Sequence, residues 1–391
     1  MQNPMFKYAF IESELERRTA REQRRRLRPV TPISAIEITV DGRRMINFCS
    51  NDYLGLSKHP AVMERACEFT KRYGAGATAS RLICGSLDCI HRVEEKLARL
   101  KGTESALIFN SGFQTNISLL PALADRRSLI LSDHLNHRSI VEGALLCRCR
   151  VIRYRHNDMD HLRTLLMRNR DRGYSRILIV SESVFSVDGD RCDLDALTSL
   201  AREFEAFSIV DEAHATGVLG PKGMGLACGK PVDLALSTFG KACGSFGAAV
   251  SCAAIVREYL INTCAGLIYT TALPPSVIGA IDAALDLIPE MEAQRIELER
   301  KAASLRSRLQ ALGFDTGASS TQIIPVLIGK EAETVALSQW LESRGILAMP
   351  IRPPTVEQGK SRLRISLCAP HTEEHIERLV DGLHQWTRKG V

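Results

Sequence analysis

The 391 residues predict an α/β fold: a large domain on a mostly parallel sheet of about seven strands, a small C-terminal α+β domain and an N-terminal helical arm. Three observations predict it. Short apolar runs alternate with segments long enough to form helices through the middle of the chain. Most of these runs are apolar at consecutive positions, as strands covered on both faces require. Beyond Pro289 the pattern restarts with a long striped helix and shorter strands.

Taken in order, residues 1–48 form a helix-and-strand arm. Residues 10–28 predict an amphipathic basic helix stopped by Pro29, whose ring removes a helix donor. Glu37–Val40 and Met45–Phe48 predict strands joined by an Asp41-Gly42 hairpin turn. Residues 49–288 form the large domain. Its strand candidates are Ala106–Phe109, Ser128–Ser132, Val151–Tyr154, Ile177–Ser181, Ser208–Val210, Leu234–Phe239 and Ala248–Ala253.

Residues 289–391 form the small domain. Leu298, Ala302, Leu305, Leu309 and Leu312 follow a 4, 3, 4, 3 spacing that predicts one apolar helix stripe, with Gly313 placed to cap it. A strand at Ile323–Ile328, a helix at Glu331–Arg344, strands at Leu347–Ile351 and Leu363–Cys368, and a helix from Glu373 to about Trp386 complete the layout.

Composition excludes several classes. At 45% hydrophobic and 25% charged residues, the chain is neither disordered nor fibrous. No signal-like apolar segment opens it, and no run of ~18 apolar residues predicts a membrane helix. The 12 cysteines are scattered without metal-site spacing; a reduced, cytoplasmic location and no metal are expected. The net charge of +6 is concentrated in Arg17, Arg18, Arg21, Arg24, Arg25, Arg26 and Arg28. Such a run can attract nucleic acid, a phosphorylated ligand or an acidic protein, or simply solvate a helix. The charge is local and accompanied by no nucleic-acid motif, so no nucleic-acid partner is expected.

Ligands of open α/β sheets sit beyond the carboxyl ends of the strands. Three strand ends carry chemistry. Asn110-Ser-Gly-Phe-Gln-Thr-Asn116 offers a glycine turn whose backbone N–H groups suit a phosphate, although a glycine can serve the turn alone. Asp211-Glu-Ala-His214 offers a carboxylate and a histidine for a heterocycle, or a salt bridge and a packed ring. Lys241, in Ser237-Thr-Phe-Gly-Lys-Ala242, is either a surface charge or a Schiff-base former. Together and in this order they supply what pyridoxal phosphate needs: a phosphate cradle, an acid for the ring nitrogen and a lysine for the aldehyde.

The stretches Asn51-Asp-Tyr-Leu-Gly-Leu56, Phe109-Asn-Ser-Gly-Phe113, Asp133-His-Leu-Asn-His-Arg-Ser139, Glu182-Ser-Val-Phe-Ser-Val-Asp-Gly189, Asp211-Glu-Ala-His-Ala-Thr-Gly217 and Thr238-Phe-Gly-Lys241 resemble the α-oxoamine synthases. The resemblance runs from about residue 10 to 388 and implies the aspartate-aminotransferase fold type with pyridoxal 5'-phosphate (PLP). That family condenses an amino acid with an acyl thioester and loses carbon dioxide. Ile351-Arg-Pro-Pro-Thr-Val356 and Ser361-Arg-Leu-Arg-Ile-Ser366 are most similar to members that make 8-amino-7-oxononanoate. Glycine acyl transfer is the nearest rival, and the retained Lys241 argues against a catalytically dead relative. The family usually has Gly-Ser-Arg where this chain reads Ala77-Thr-Ala-Ser-Arg81, a change expected to narrow substrate access.

The resemblance implies roles. Lys241 holds the cofactor and then serves as the base. Asp211 keeps the ring nitrogen protonated, and His137 stacks on the ring. His214 reaches the phenolic oxygen, with Ser186 donating to that oxygen or orienting His214. Gly112, Phe113 and Thr238 hold the phosphate, joined by Thr270 and Thr271 from a partner subunit across a homodimer interface. Arg364 grips the amino-acid carboxylate. Asn51 and His137 belong to the substrate site, and Arg25, Arg352 and Thr355 face the acyl group. The implied substrates are L-alanine and pimeloyl-CoA or pimeloyl-acyl carrier protein.

Overall fold

The computed structural model describes residues 6–21 and 23–388. In the arm, β1 (Val30–Pro32), β2 (Glu37–Val40) and β3 (Arg43–Asn47) form an antiparallel meander. Asp41 and Gly42 both take positive φ, 50° and 75°, the left-handed geometry that a two-residue hairpin needs.

The large sheet contains β4 (Ser105–Phe109), β5 (Leu129–Asp133), β6 (Arg150–Tyr154), β7 (Ile177–Glu182), β8 (Phe207–Asp211), β9 (Leu234–Thr238) and β10 (Ala248–Cys252). Each overlaps one of the predicted runs. Their spatial order is β4-β10-β9-β8-β7-β5-β6, and β10 alone runs antiparallel to its neighbours. Alternate residues feed different cores. Ile130 packs with Leu119, Leu120 and Ile140, whereas Leu129 and Leu131 pack with Leu162 and Leu197. Burial on both faces is why the strands read as continuous apolar runs, each large side chain contributing about 1.5–3 kcal/mol.

The C-terminal part contains β11 (Ile323–Gly329), β12 (Ile346–Leu347), β13 (Met349–Ile351) and β14 (Ser361–Ser366). Strands β11, β14 and β13 form an antiparallel sheet, while β12 pairs in parallel with β3 of the arm. The strand expected at Leu347–Ile351 is therefore split between two sheets. Ala348 is the pivot: its carbonyl accepts from Ser338 Oγ at 2.7 Å, and its side chain is buried. The long helix Glu292–Ala311 buries Leu298, Ala302, Leu305 and Leu309, and Gly313 follows with φ 86°. It is separated from helix Pro275–Glu290 by a break at Met291, beside the expected boundary at Pro289.

The expected helix over residues 10–28 is shorter. It spans Ala9–Ala20 and buries no residue, so no packing carries it further. Residues 23–29 have no regular structure. In this segment Arg28 bridges Glu342 at 2.7 Å and Asp41 at 2.8 Å, contacts that tie the segment to the C-terminal part.

Candidate active site

The parallel strands end on one edge of the sheet, and the chemistry-bearing residues collect there. After β4, Ser111 caps helix Gly112–Leu123 by accepting from Gln114 N at 3.2 Å. The first-turn N–H groups, with the helix dipole behind them, suit an anion. A Cβ on Gly112 would lie 2.5 Å from Thr238 Cγ2, so glycine is what lets this turn approach the end of β9. Gly112, Phe113 and Thr238 are thus neighbours at one edge of the sheet.

Asp211 ends β8 and is 5% exposed. Its Oδ2 accepts from Asn116 Nδ2 at 2.8 Å and its Oδ1 from Ala213 N at 2.9 Å. Glu182 ends β7 directly opposite it in the strand register. Burial, followed by the charge of Asp211, raises the Glu182 carboxyl well above the usual carboxylate range. Its Oε1 accepts the His137 backbone N–H at 2.5 Å. His137 is exposed, with Nδ1 2.7 Å from Ser139 Oγ.

Lys241 follows β9. Burial brings its ammonium down to about 8, against the opposing pull of the Asp211 and Glu182 carboxylates. Its Nζ lies 2.8 Å from His214 Nε2, and His214 Nδ1 lies 2.7 Å from the Tyr53 hydroxyl. Burial and the Lys241, Arg364 and His137 charges keep the His214 pKa well below the ordinary histidine range. The Tyr53 hydroxyl is 3.1 Å from Asn51 Oδ1, and burial pushes its pKa up to about 12. Arg364 Nη1 and Nη2 donate to the same Asn51 oxygen at 3.1 and 3.2 Å, and its Nε donates to Ser186 O at 2.6 Å. Lys241, His214, Tyr53, Asn51 and Arg364 therefore form one continuous line.

Ser186 meets Arg364 through its carbonyl, and the Tyr53 hydroxyl orients His214 through Nδ1. The His214 ring is held at both nitrogens, by the Tyr53 hydroxyl at Nδ1 and by Lys241 Nζ at Nε2. Thr270 Oγ1 and Thr271 O accept from Asn110 Nδ2 of the same chain at 3.2 and 2.8 Å. Ala79, which stands where the family's glycine is expected, is half-buried, and its carbonyl accepts from Ala272 N at 3.0 Å; Thr78 before it takes φ 62°. Arg25 Nη2 of the arm lies 3.4 Å from Thr355 Oγ1, and Thr355 N donates to Arg352 O at 3.0 Å, so Arg25 meets the turn after β13 that carries Arg352 and Thr355.

Tyr53, Glu182, Asn116 and Gln322 were not singled out by sequence reasoning. Tyr53 and Glu182 stood inside motifs already marked, and Asn116 lies four residues after Gly112, one helix turn on. Gln322, whose Nε2 donates to His214 O at 2.9 Å, had no signal because it arrives from the distant C-terminal part. Among the described residues no cluster could hold a metal ion, and no helix is long and apolar enough to cross a membrane.

The site fits PLP. The Gly112–Thr238 approach leaves backbone donors at a helix N-terminus for its phosphate, Asp211 is held by donors on both oxygens, and Lys241 is a buried amine.

Comparison with known proteins agrees. Residues 43–383 match the family described as aminotransferase class I and II. A protein of Desulfosudis oleivorans, provisionally named 8-amino-7-oxononanoate synthase, is 57% identical, covering 98% of this chain and all of its own. The 8-amino-7-oxononanoate synthase of Gluconacetobacter diazotrophicus is 46% identical, covering 97% of each chain. A solved structure of SPT with PLP superposes with a TM-score of 0.91 at 26% identity, covering 99% of each chain.

Proposed function

Because the chain belongs to the class I and II aminotransferase family, we propose that it is a PLP-dependent acyltransferase joining L-alanine to a pimeloyl thioester. The products are 8-amino-7-oxononanoate, carbon dioxide and the free thiol carrier, a step of biotin biosynthesis. The bond forms between the alanine α-carbon and the thioester carbonyl. The α-proton is removed, the carrier thiolate leaves and takes a proton, the alanine carboxylate leaves as carbon dioxide, and the electron pair it leaves on the α-carbon is taken up by a proton. Support comes from relatives of that name across nearly the whole chain.

The line from Arg364 to Lys241 is the observation that carries this reading. It places a carboxylate-binding guanidinium and a proton-accepting amine on one connected scaffold. PLP, when bound, supplies the aldehyde that captures the amino acid and the cationic ring that delocalises the electron pair left on its α-carbon.

The chain's residues do the rest. Gly112 and Phe113 N–H groups and the Thr238 hydroxyl hold the phosphate, with Thr270 and Thr271 of a second copy completing the cradle in a homodimer. With PLP bound, Asp211 would hold the ring nitrogen in its protonated state, His137 would lie against the ring, and Ser186 and His214 would face its oxygen-bearing edge. Arg364, positioned by Asn51, grips the alanine carboxylate as a planar bidentate donor. Lys241, neutral in part because burial lowers its pKa, removes the α-proton. Arg25, Arg352 and Thr355 face the acyl chain. We place this reaction in the cytoplasm, where twelve unpaired cysteines stay reduced.

The test is incubation of the PLP-loaded protein with L-alanine and pimeloyl-CoA or pimeloyl-acyl carrier protein, with products identified by mass. Formation of 8-amino-7-oxononanoate supports the reading. Turnover only with glycine and acetyl-CoA, or with serine and palmitoyl-CoA, overturns it.

A further inference from the structure

The group that stacks on the cofactor and the group that charges its ring are joined inside the protein. Asn116 Nδ2 donates to Asp211 Oδ2 at 2.8 Å and to Ser139 Oγ at 3.0 Å. Ser139 Oγ lies 2.7 Å from His137 Nδ1, and the Ser139 backbone N–H donates to the same Nδ1 at 3.3 Å. Asn116, Ser139 and Asp211 are all buried.

The proton positions follow from the donor inventory. A carboxylate only accepts, so the Asn116 amide must turn its NH2 toward Asp211. One amide hydrogen goes to Asp211 and the other to Ser139 Oγ. Having accepted that hydrogen, the Ser139 hydroxyl sends its own to His137 Nδ1. The Ser139 backbone N–H points at the same nitrogen, and an N–H there would oppose it. Nδ1 is therefore an acceptor twice over, and the single ring proton belongs on Nε2.

We propose that Asn116 and Ser139 are positioning residues that lock His137 as its Nε2–H tautomer and link that choice to Asp211. The second clamp is independent: Glu182 Oε1 accepts the His137 backbone N–H at 2.5 Å, while Asn136 Oδ1 accepts Glu182 N at 3.1 Å. Backbone and ring are thus fixed from two sides. His137 then presents one defined ring N–H, at Nε2. The proposal rests on the reading of Asp211 as the ring acid, but its test does not depend on turnover.

Ring 15N–1H correlation spectra of the PLP-free and PLP-loaded protein, with His137 assigned by its loss in His137→Gln, read the tautomer directly. The expected result is one form, protonated at Nε2 and bare at Nδ1, in both samples. Ser139→Ala keeps the longer backbone N–H contact but loses the 2.7 Å hydroxyl donor, so a fraction of the Nδ1–H tautomer should appear, and Ser139→Thr, which keeps the hydroxyl, should restore the single form. A wild-type His137 protonated at Nδ1, or an unchanged single tautomer in Ser139→Ala, overturns the proposal. The wild-type spectrum decides the first point even if a variant fails to fold. Loss of 8-amino-7-oxononanoate synthesis with the tautomer as stated would count against the functional reading and leave the relay standing.

Discussion

The Nζ of Lys241 lies 2.8 Å from Nε2 of His214, and this contact sets the protonation of the whole line behind it. His214 is buried and neutral, so it holds one donor and one acceptor. When Lys241 is an ammonium it donates to Nε2, and the His214 proton then sits on Nδ1, facing the Tyr53 oxygen at 2.7 Å. The Tyr53 hydroxyl in turn donates to Asn51 Oδ1 at 3.1 Å, a carbonyl that only accepts. Arg364 donates to that same oxygen, so the carboxylate grip and the amine share an end point.

The first prediction concerns pH. Burial lowers Lys241 to about 8 from the ordinary 10.5. Between these values the unfolded chain binds more protons, so this group's contribution to stability rises with pH through that window. The free amine appears over the same range. The rate at which PLP-free protein captures PLP should climb with a midpoint near pH 8. A climb delayed to the range of an exposed lysine would contradict the buried environment.

A second prediction concerns Arg364. Replacing it with lysine keeps the charge and loses the planar pair of donors. Losing a charge-assisted hydrogen bond costs about 1.5–3 kcal/mol, so KM for L-alanine should rise about 10- to 150-fold. KM for the pimeloyl thioester should change little. An unchanged alanine KM would remove Arg364 from the carboxylate site.

The Gly112–Thr238 approach gives a third prediction. In Gly112→Ala the new Cβ meets Thr238 Cγ2 at 2.5 Å, which must open the cradle. PLP affinity should fall about tenfold or more, the usual scale of overpacking. Thr238→Ser removes the clashing methyl and keeps the hydroxyl. The double variant should therefore recover most of the affinity, as read by titration of the visible absorbance. Failure to recover would mean that the cradle is not set by this contact.

The arginine run supplies a fourth. Arg17 and Arg18 both pair with Glu14, and Arg28 pairs with Glu342 and Asp41. Steering of an anionic thioester carrier should therefore rest on Arg24, Arg25 and Arg26 more than on the helix. Changing these three to glutamine should lower kcat/KM for pimeloyl-CoA at low salt, with the difference shrinking as salt screens exposed charge within ~8–10 Å. Alanine binding should be unaffected. A variant indistinguishable from wild type at low salt would assign these arginines to solvation only.

The sheet was legible because its strands are buried on both faces, and seven apolar runs needed no partner information to be recognised. Lys241, Asp211 and Gly112 were legible because strand ends collect ligands and their residue types are chemically distinctive. The split at Ala348 was not, because local apolarity does not say which of two sheets a residue joins. Residues 10–28 looked like one helix because arginine is a good helix former, but a helix that buries nothing stops where propensity alone can no longer hold it. Gln322 and Asn116 escaped because a neutral amide in a sequence announces nothing until the fold sets it beside a histidine carbonyl or a carboxylate.

The central claim is that Lys241 is the amine to which PLP attaches. Borohydride reduction of the PLP-loaded protein, followed by peptide mass mapping, tests it most directly. The account predicts a single reduced adduct on the peptide containing Lys241, absent from Lys241→Ala. An adduct on any other lysine in the wild-type protein, with Lys241 unmodified, would contradict it.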